Sequence, residues 1–320
     1  MLNQHAVALV CLCLATLEVR GQEQLPSADA RATTRPAEPA AVAAVRDAHD
    51  GLVGAITDHV VKDGDTLRSI AARFGIEVAT LARENGLRAD ARLASGQAMR
   101  IDNRHIVPAA LDSVELVINI PQRMLFYRGG DGAMVGYPVA VGRPDWPTPS
   151  GTFVVAVLER HPTWDVPPSI LEESRRKGRI QSPVVPPGPD NPLGDFWIGL
   201  SLAGIGIHAT NVPSSIFGTV SHGCIRVHPD DIAQLFERVQ VGAAGRIIYE
   251  PTLLTVHDDT VYLEVHRDVY RRVAAEPRAS ARTLASAAGV SERIDWTIAD
   301  TVASRREGIA RDVTRVPRTH

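Results

Sequence analysis

Residues 207–227 read Ile207-His208-Ala209-Thr210-Asn211-Val212-Pro213-Ser214-Ser215-Ile216-Phe217-Gly218-Thr219-Val220-Ser221-His222-Gly223-Cys224-Ile225-Arg226-Val227. Before the loop, Gly199–His208 alternates as a strand. After it, Pro229 suits the first helical position and Asp230 and Asp231 suit the positive N-terminus. Ile232, Leu235, Phe236 and Val239 then share one helical face. Gly242 and Gly245 end that helix, and Arg246–Tyr249 reads as a closing strand. A loop with Pro213 and Gly218 is thus held between a strand and a helix, as a rigid scaffold holds a reactive loop.

Outward from this loop the chain is strand-rich. Val114–Asn119, Met124–Tyr127, Val135–Val141 and Thr152–Leu158 read as strands, with a Pro-Thr-Pro-Ser-Gly turn at 147–151. Residues His161–Asp195 are Pro-rich without strand periodicity, which suggests a stiff lid. Trp164 and the Arg175-Arg176-Lys177 cluster on it are placed to hold an extended peptide and its carboxylates. Thr255–Val265 alternates as a strand pair within a 251–273 extension, and 274–320 reads as an Ala-rich, solvated helical tail. Toward the N-terminus, Asp58–Asp102 forms a small strand–helix–helix–strand unit. Thr66 caps a helix whose face is Leu67, Ile70, Ala71 and Phe74. Residues 22–57 read as a flexible linker, and 1–21 as a secretory leader whose apolar stretch holds Cys11 and Cys13.

Composition narrows the classes. Of 320 residues 44% are hydrophobic, enough for a core and against wholesale disorder. A net charge of −3 without a basic block argues against nucleic acid as partner. No apolar run is long enough to span a membrane, so no integral segment is expected after leader removal. Removal of the leader leaves Cys224 as the one cysteine, unable to form an internal disulfide.

A cysteine nucleophile needs a base or a cationic neighbourhood. Cys224 has His208 across the loop, His222 two residues before it and Arg226 two residues after it. These neighbours predict a lowered thiol pKa. Gly223 allows close backbone approach to a carbonyl, which leaves nearby N–H groups free as oxyanion donors. Other readings remain: an inert buried thiol, a zinc set of His208, His222, Cys224 and His228 whose spacing matches no standard finger, and His222 as a turn residue that only orients the loop.

His208, Ser221-His222-Gly223-Cys224 and Arg226, with 16 residues between His208 and Cys224 in numbering, resemble the signature of the L,D-transpeptidase family (YkuD-type domain). The run at 147–153 is a further resemblance to that family, and the runs at 162–164, 167–168 and 186–194 resemble its periplasmic branch. Val60, Gly64-Asp65-Thr66-Leu67, Ile70-Ala71, Phe74-Gly75, Leu81, Asn85, Leu93 and Gly96-Gln97 resemble a LysM domain, with Gly86 and Ala98 departing from its pattern.

The resemblance implies an α+β multidomain chain: a βααβ LysM-like unit (58–102), a mostly β catalytic domain (114–250) with one flanking helix, and a helical tail. It implies acyl transfer on peptidoglycan stem peptides, with Cys224 as nucleophile, His208 as proton donor and acceptor, and Ser221, His222, Gly223 and Arg226 in support. The backbone carbonyl of Ala209 is expected to orient the histidine. Trp164, Thr210 and Asn211 are candidates for stem-peptide binding, and Gly64, Asp65, Thr66 and Asn85 for glycan strands. No metal or organic cofactor is implied. The expected products are 3→3 cross-links or lipoprotein anchoring, in the periplasm or outside the cell, with a role in wall biogenesis and cell shape. L,D-carboxypeptidase action and a non-catalytic glycan-binding wall protein are the alternatives.

Overall fold

The computed structural model describes residues 51–316, all within one compact unit. The expected leader, Cys11, Cys13 and the linker up to residue 50 lie outside the described residues. In chain order the first part holds β1 (Leu52–Val53), β2 (Ile56–Val60), α1 (Leu67–Phe74), α2 (Val78–Glu84), β3 (Ala98–Asp102) and β4 (His105–Ile106). Structure thus begins before Asp58, and the reading of 51–57 as linker is corrected. Val53 is buried beside Val117, Met124 and Phe126, and β1 pairs with β4. Two apolar residues on a prepared face need no periodicity of their own, so the sequence carries little sign of them. α1 forms as its residues dictate. The Thr66 hydroxyl accepts from the Ser69 N–H in a capping box, and Gly75 closes the helix at φ +70°. Ile70 and Ala71 meet Leu81, Met99 and Ile101 in the core of this unit.

The middle part holds β5 (Leu116–Asn119), β6 (Met124–Arg128), β7 (Met134–Gly142), β8 (Gly151–Arg160), β9 (Trp164–Asp165), α3 (Pro168–Arg176), β10 (Val184–Val185), β11 (Phe196–Leu200), β12 (Gly206–His208), β13 (Thr219–Ser221), β14 (Ile225–Val227), α4 (Pro229–Arg238) and β15 (Ala244–Ile248). Eight of these strands run β7-β14-β12-β11-β8-β15-β5-β6, and β6 pairs back onto β7. The result is a closed mixed barrel in which β12/β14 and β15/β5 are parallel. Closure leaves these eight strands without a free edge. Period-2 alternation divides their side chains. Leu116, Ile118, Leu125 and Tyr127 enter one cluster with Ile207, Ile225 and the α4 residues Ile232 and Leu235. Val117, Met124 and Phe126 enter the cluster covered by Val53 and Leu111.

Two expectations are corrected here. Gly199–His208 is two antiparallel strands, β11 and β12, because Ser201–Ile205 turns the chain back. The Pro-rich stretch is not structureless: β9 pairs with β10, and α3 stands between them. Pro168 at the helix start lacks only an N–H that the first turn would leave unpaired.

The last part holds β16 (Thr252–His257), β17 (Thr260–Val265), α5 (Pro277–Ala287), α6 (Trp296–Arg305) and β18 (Arg311–Asp312). The expected helices are present, and each buries one face while the other meets solvent. Ala281, Ala285, Ala299 and Val302 pack on Val261, Leu263 and Val265. Ile309 joins the core of the α1–α2 unit, and Arg311 ion-pairs with Glu84, Asp102 and Glu307. Small alanines let helix and sheet approach closely, a use that composition does not distinguish from an exposed helix. Among the described residues no helix is long and apolar enough to cross a membrane.

Candidate active site

The parallel pairing of β12 with β14 sets Ile207 opposite Ile225 and His208 opposite Arg226. Both isoleucines are fully buried in the barrel cluster. By the alternation of strand side chains, His208 and Arg226 therefore stand on the outer face. Cys224, two residues before Arg226, is half-buried, its Sγ 3.5 Å from the Gly204 carbonyl oxygen. On the other side of β12, Trp197 of β11 is in register with His208 and stacks on it, centroids 5.8 Å apart at 29°. Gly206 makes this possible, since a Cβ there would lie 2.3 Å from the indole. Trp197 escaped the sequence reading, which ran β11 and β12 together and so missed the register that brings it to His208.

Burial governs the protonation of the pair. His208 is almost fully buried, and its pKa falls to about 3, first through desolvation and then through the Arg226 charge. Backbone groups of Ala209 and Pro192 offset this only in part. Burial likewise pushes the Cys224 thiol up, against the Gly206 backbone and the Arg226 cation. The expected lowering of the thiol pKa is thus overturned: desolvation outweighs one nearby cation. At neutral pH the resting pair is a thiol and a neutral imidazole. Burial also lowers the Arg226 pKa, and among the described residues that guanidinium has no carboxylate partner.

His222 is turned toward α3. Its Nε2 donates to Glu173 Oε2 at 2.5 Å, with the Arg143 guanidinium 3.2 Å away and the Trp146 ring edge-on at 4.7 Å. Glu173 belongs to α3 and also accepts from Arg143 at 3.0 Å and Lys177 at 2.5 Å. Hydrogen bonds from Lys177 and His222 hold its pKa down to about 2. α3 is therefore fastened to the residue two before Cys224. In the Arg175-Arg176-Lys177 cluster, Arg175 pairs with Glu172 and Lys177 with Glu173, which leaves Arg176 as the cation not paired on its own helix. Trp164 is half-buried on β9 opposite Val185, and the aromatic stacked on His208 is Trp197 instead.

Gly223 adopts φ +110°, a conformation that L side chains rarely take. Its N–H donates to Ser221 Oγ at 3.1 Å, and its carbonyl accepts from Thr148 Oγ1 at 2.8 Å. Of the backbone donors at this turn, the Gly223 N–H is thus engaged by the neighbouring serine. Ser221 Oγ in turn donates to the Cys224 carbonyl at 2.5 Å, while the Cys224 N–H has no acceptor among the described residues. Thr148 is braced by Tyr270, whose hydroxyl accepts from the Thr148 N–H and donates to the Gly142 carbonyl. Thr210 is buried and accepts from the Val212 N–H, whereas Asn211 is exposed. Both line a cleft of about 420 Å³ with Asn191 and Gly194.

In the α1–α2 unit Gly64 is open, with nothing near its Cα on the side-chain side. The other three candidate side chains hold the fold together. Asp65 accepts from the Lys62 N–H and bonds His59, Thr66 caps α1, and Asn85 bonds the Leu81 and Arg100 backbones. Far from Cys224 in sequence, His105, Glu264 and His266 form a buried cluster with metal-ligating atoms. Glu264 accepts from His105, His266, Gln122 and the Ile106 N–H, so its lone pairs are already directed at four donors.

Residues 113–251 match the L,D-transpeptidase catalytic domain family, and residues 59–102 match the LysM domain family. The chain is 34% identical over 235 residues to the probable L,D-transpeptidase ErfK/SrfK of Escherichia coli strain K12, covering 70% of this chain and 73% of that protein. It is 30% identical over 274 residues to the probable L,D-transpeptidase YcfS of the same organism, covering 82% and 85%. Among solved structures, L,D-transpeptidase 3 from Mycobacterium tuberculosis matches at 17% identity and a TM-score of 0.33, over 49% of this chain and 76% of that one.

Proposed function

The chain belongs to the L,D-transpeptidase family, cysteine transpeptidases, with a LysM domain, and from that premise we propose that Cys224 and His208 carry acyl transfer on peptidoglycan stem peptides. The observation that carries this reading is the register of β12 and β14, which sets His208 beside Arg226 on the face where Cys224 precedes it by two residues.

The neutral His208 imidazole takes the thiol proton as Cys224 Sγ attacks the carbonyl of the third residue, meso-diaminopimelate or an equivalent diamino acid. The Cys224 N–H is available to the oxyanion, and the unpaired Arg226 cation steadies negative charge on the sulfur and the substrate. The imidazolium returns the proton to the departing D-Ala amine, which leaves a thioester. An acceptor amine then attacks the thioester carbonyl, its proton passing to His208 while the thiol is restored. A side-chain amine of a second stem gives a 3→3 cross-link, a lipoprotein lysine gives anchoring, and water gives carboxypeptidase action. The LysM domain holds the enzyme on its insoluble polymer and raises local substrate concentration. This chemistry belongs outside the cytoplasm, in the periplasm or the wall.

The test is incubation of wild type and Cys224→Ala with tetrapeptide muropeptides, read by mass spectrometry. Wild type is expected to release D-Ala, to carry an acyl adduct on Cys224 and to form cross-linked or trimmed products, and the variant to form none. Equal product from the variant rules the thioester route out. The masses sort the acceptor among a second stem, a lipoprotein lysine and water.

A further inference from the structure

We infer that the LysM unit clamps the loop joining His208 to Cys224, with Arg123 as the positioning residue that transmits the grip. This rests on the acyl-transfer reading above and adds to it a role that a glycan tether does not have.

The loop carries a 3₁₀ turn at Pro213–Ser215 and then Phe217 at φ +62°, an uncommon conformation for a bulky aromatic residue. Such a residue persists only where its surroundings over-determine it. Three contacts do so. Ile216 is buried against Ala72 of α1 and Ala140 of β7. Arg123, between β5 and β6, donates from Nη1 to the Phe217 carbonyl at 2.9 Å and lies 4.0 Å over its ring. Its other branch, Nη2, donates at 2.7 Å to Glu77 at the start of α2. The guanidinium therefore bridges the LysM unit and the loop with one rigid fork. On the far side of Cys224, Arg73 of α1 donates to Asp231 of α4 at 2.6 Å. The two LysM helices thus grip the segment before the cysteine and the helix after it. A module serving only as a tether needs no such contacts. The docking uses the C-terminal end of α1 and the start of α2, while a Cβ added at Gly64, Gly86 or Gly96 would meet nothing within 4 Å.

The experiment uses the full chain and a tetrapeptide substrate that carries no sugar, on which a glycan tether contributes nothing. Glu77→Gln, Glu77→Asp and Arg123→Lys are compared with wild type for kcat and KM, with hydrogen exchange of the Ile216 and Phe217 amides as a second readout. Glu77→Gln and Arg123→Lys are expected to lower kcat about tenfold with KM within about twofold, as for a misplaced catalytic group. Glu77→Asp, which keeps the charge, recovers part of the loss. The loop amides exchange faster in the two defective variants, while those of β5 and β15 keep wild-type protection, so general unfolding is told apart. Wild-type kcat and unchanged loop exchange in all three variants overturn the clamp. If wild type itself releases no D-Ala from this substrate, the acyl-transfer reading falls, and the exchange data alone decide whether the clamp exists.

Discussion

The thiol of Cys224 and the imidazole of His208 each stand where burial favours the neutral form. Alkylation of Cys224 by iodoacetamide is therefore expected to be slower at pH 7 than that of free cysteine, and to keep rising above pH 9. A rate already level from pH 6 upward would mean a preformed thiolate and overturn this reading. His208 also ties stability to acid. Its folded pKa of about 3 lies below the ordinary value of 6.5, so between these values the unfolded chain binds a proton that the folded chain excludes. Its contribution is whole above pH 6.5 and is lost as pH falls toward 3. The Tm of wild type should accordingly drop more over that interval than the Tm of His208→Asn, measured by calorimetry; parallel curves contradict the buried neutral state. The same variant should lose about 10²- to 10⁴-fold in kcat/KM, the range for a lost general base.

At the scale of elements, the fastening of α3 is the feature with most leverage on substrate access. Glu173 gathers Arg143, Lys177 and His222 on one carboxylate, so a single side chain joins the lid helix to the cysteine loop. Because its pKa is held down to about 2, this grip is present above the ordinary carboxylate range near 4.5 and is lost as pH falls from there toward 2. Glu173→Ala is expected to speed proteolytic nicking after Arg176 or Lys177, where the chain is exposed. It should also raise KM for tetrapeptide stems several-fold, with alkylation of Cys224 unchanged at high pH. Wild-type nicking and KM together would show that α3 stays in place without the carboxylate. The sequence suggested a lid through its prolines and its length, yet α3 spans only nine residues between two-residue strands. Elements this short are held by what they touch, which local propensity does not record.

Over the whole molecule, the C-terminal residues return to the N-terminal unit. Arg311 of β18 reaches Glu84 of α2, Asp102 of β3 and Glu307, and the latter two are nearly fully buried. Removing the cation takes one partner from each acid, while Arg104 still holds Asp102 and Arg83 and Arg305 still hold Glu307. Arg311→Ala should cost about 2 kcal/mol in urea unfolding, less than a buried pair whose remaining charge is left uncompensated. A loss below about 0.5 kcal/mol would instead place the pair among surface contacts of little weight. The packing of α5 and α6 on β17 points the same way: residues 277–313 are structural, and their removal exposes Val261, Leu263 and Val265.

The sequence by itself determined the local units of this protein. The Thr66 cap and Gly75 stop delimit α1, Pro229 and the following acids start α4, and the His208, Ser221-His222-Gly223-Cys224 and Arg226 constellation marks the site. Such signals lie within a few residues of one another, where spacing alone decides which side chains meet. Tertiary structure alone decided which groups surround Cys224. Trp197 comes to His208 through strand register, His222 is drawn to Glu173 from 49 residues away, and Arg123 reaches the loop from 94 residues away. It also decided the sign of the thiol shift. Charge can be counted along a chain, but the desolvation that outweighs it depends on how much of the barrel, loop and lid excludes water from the sulfur.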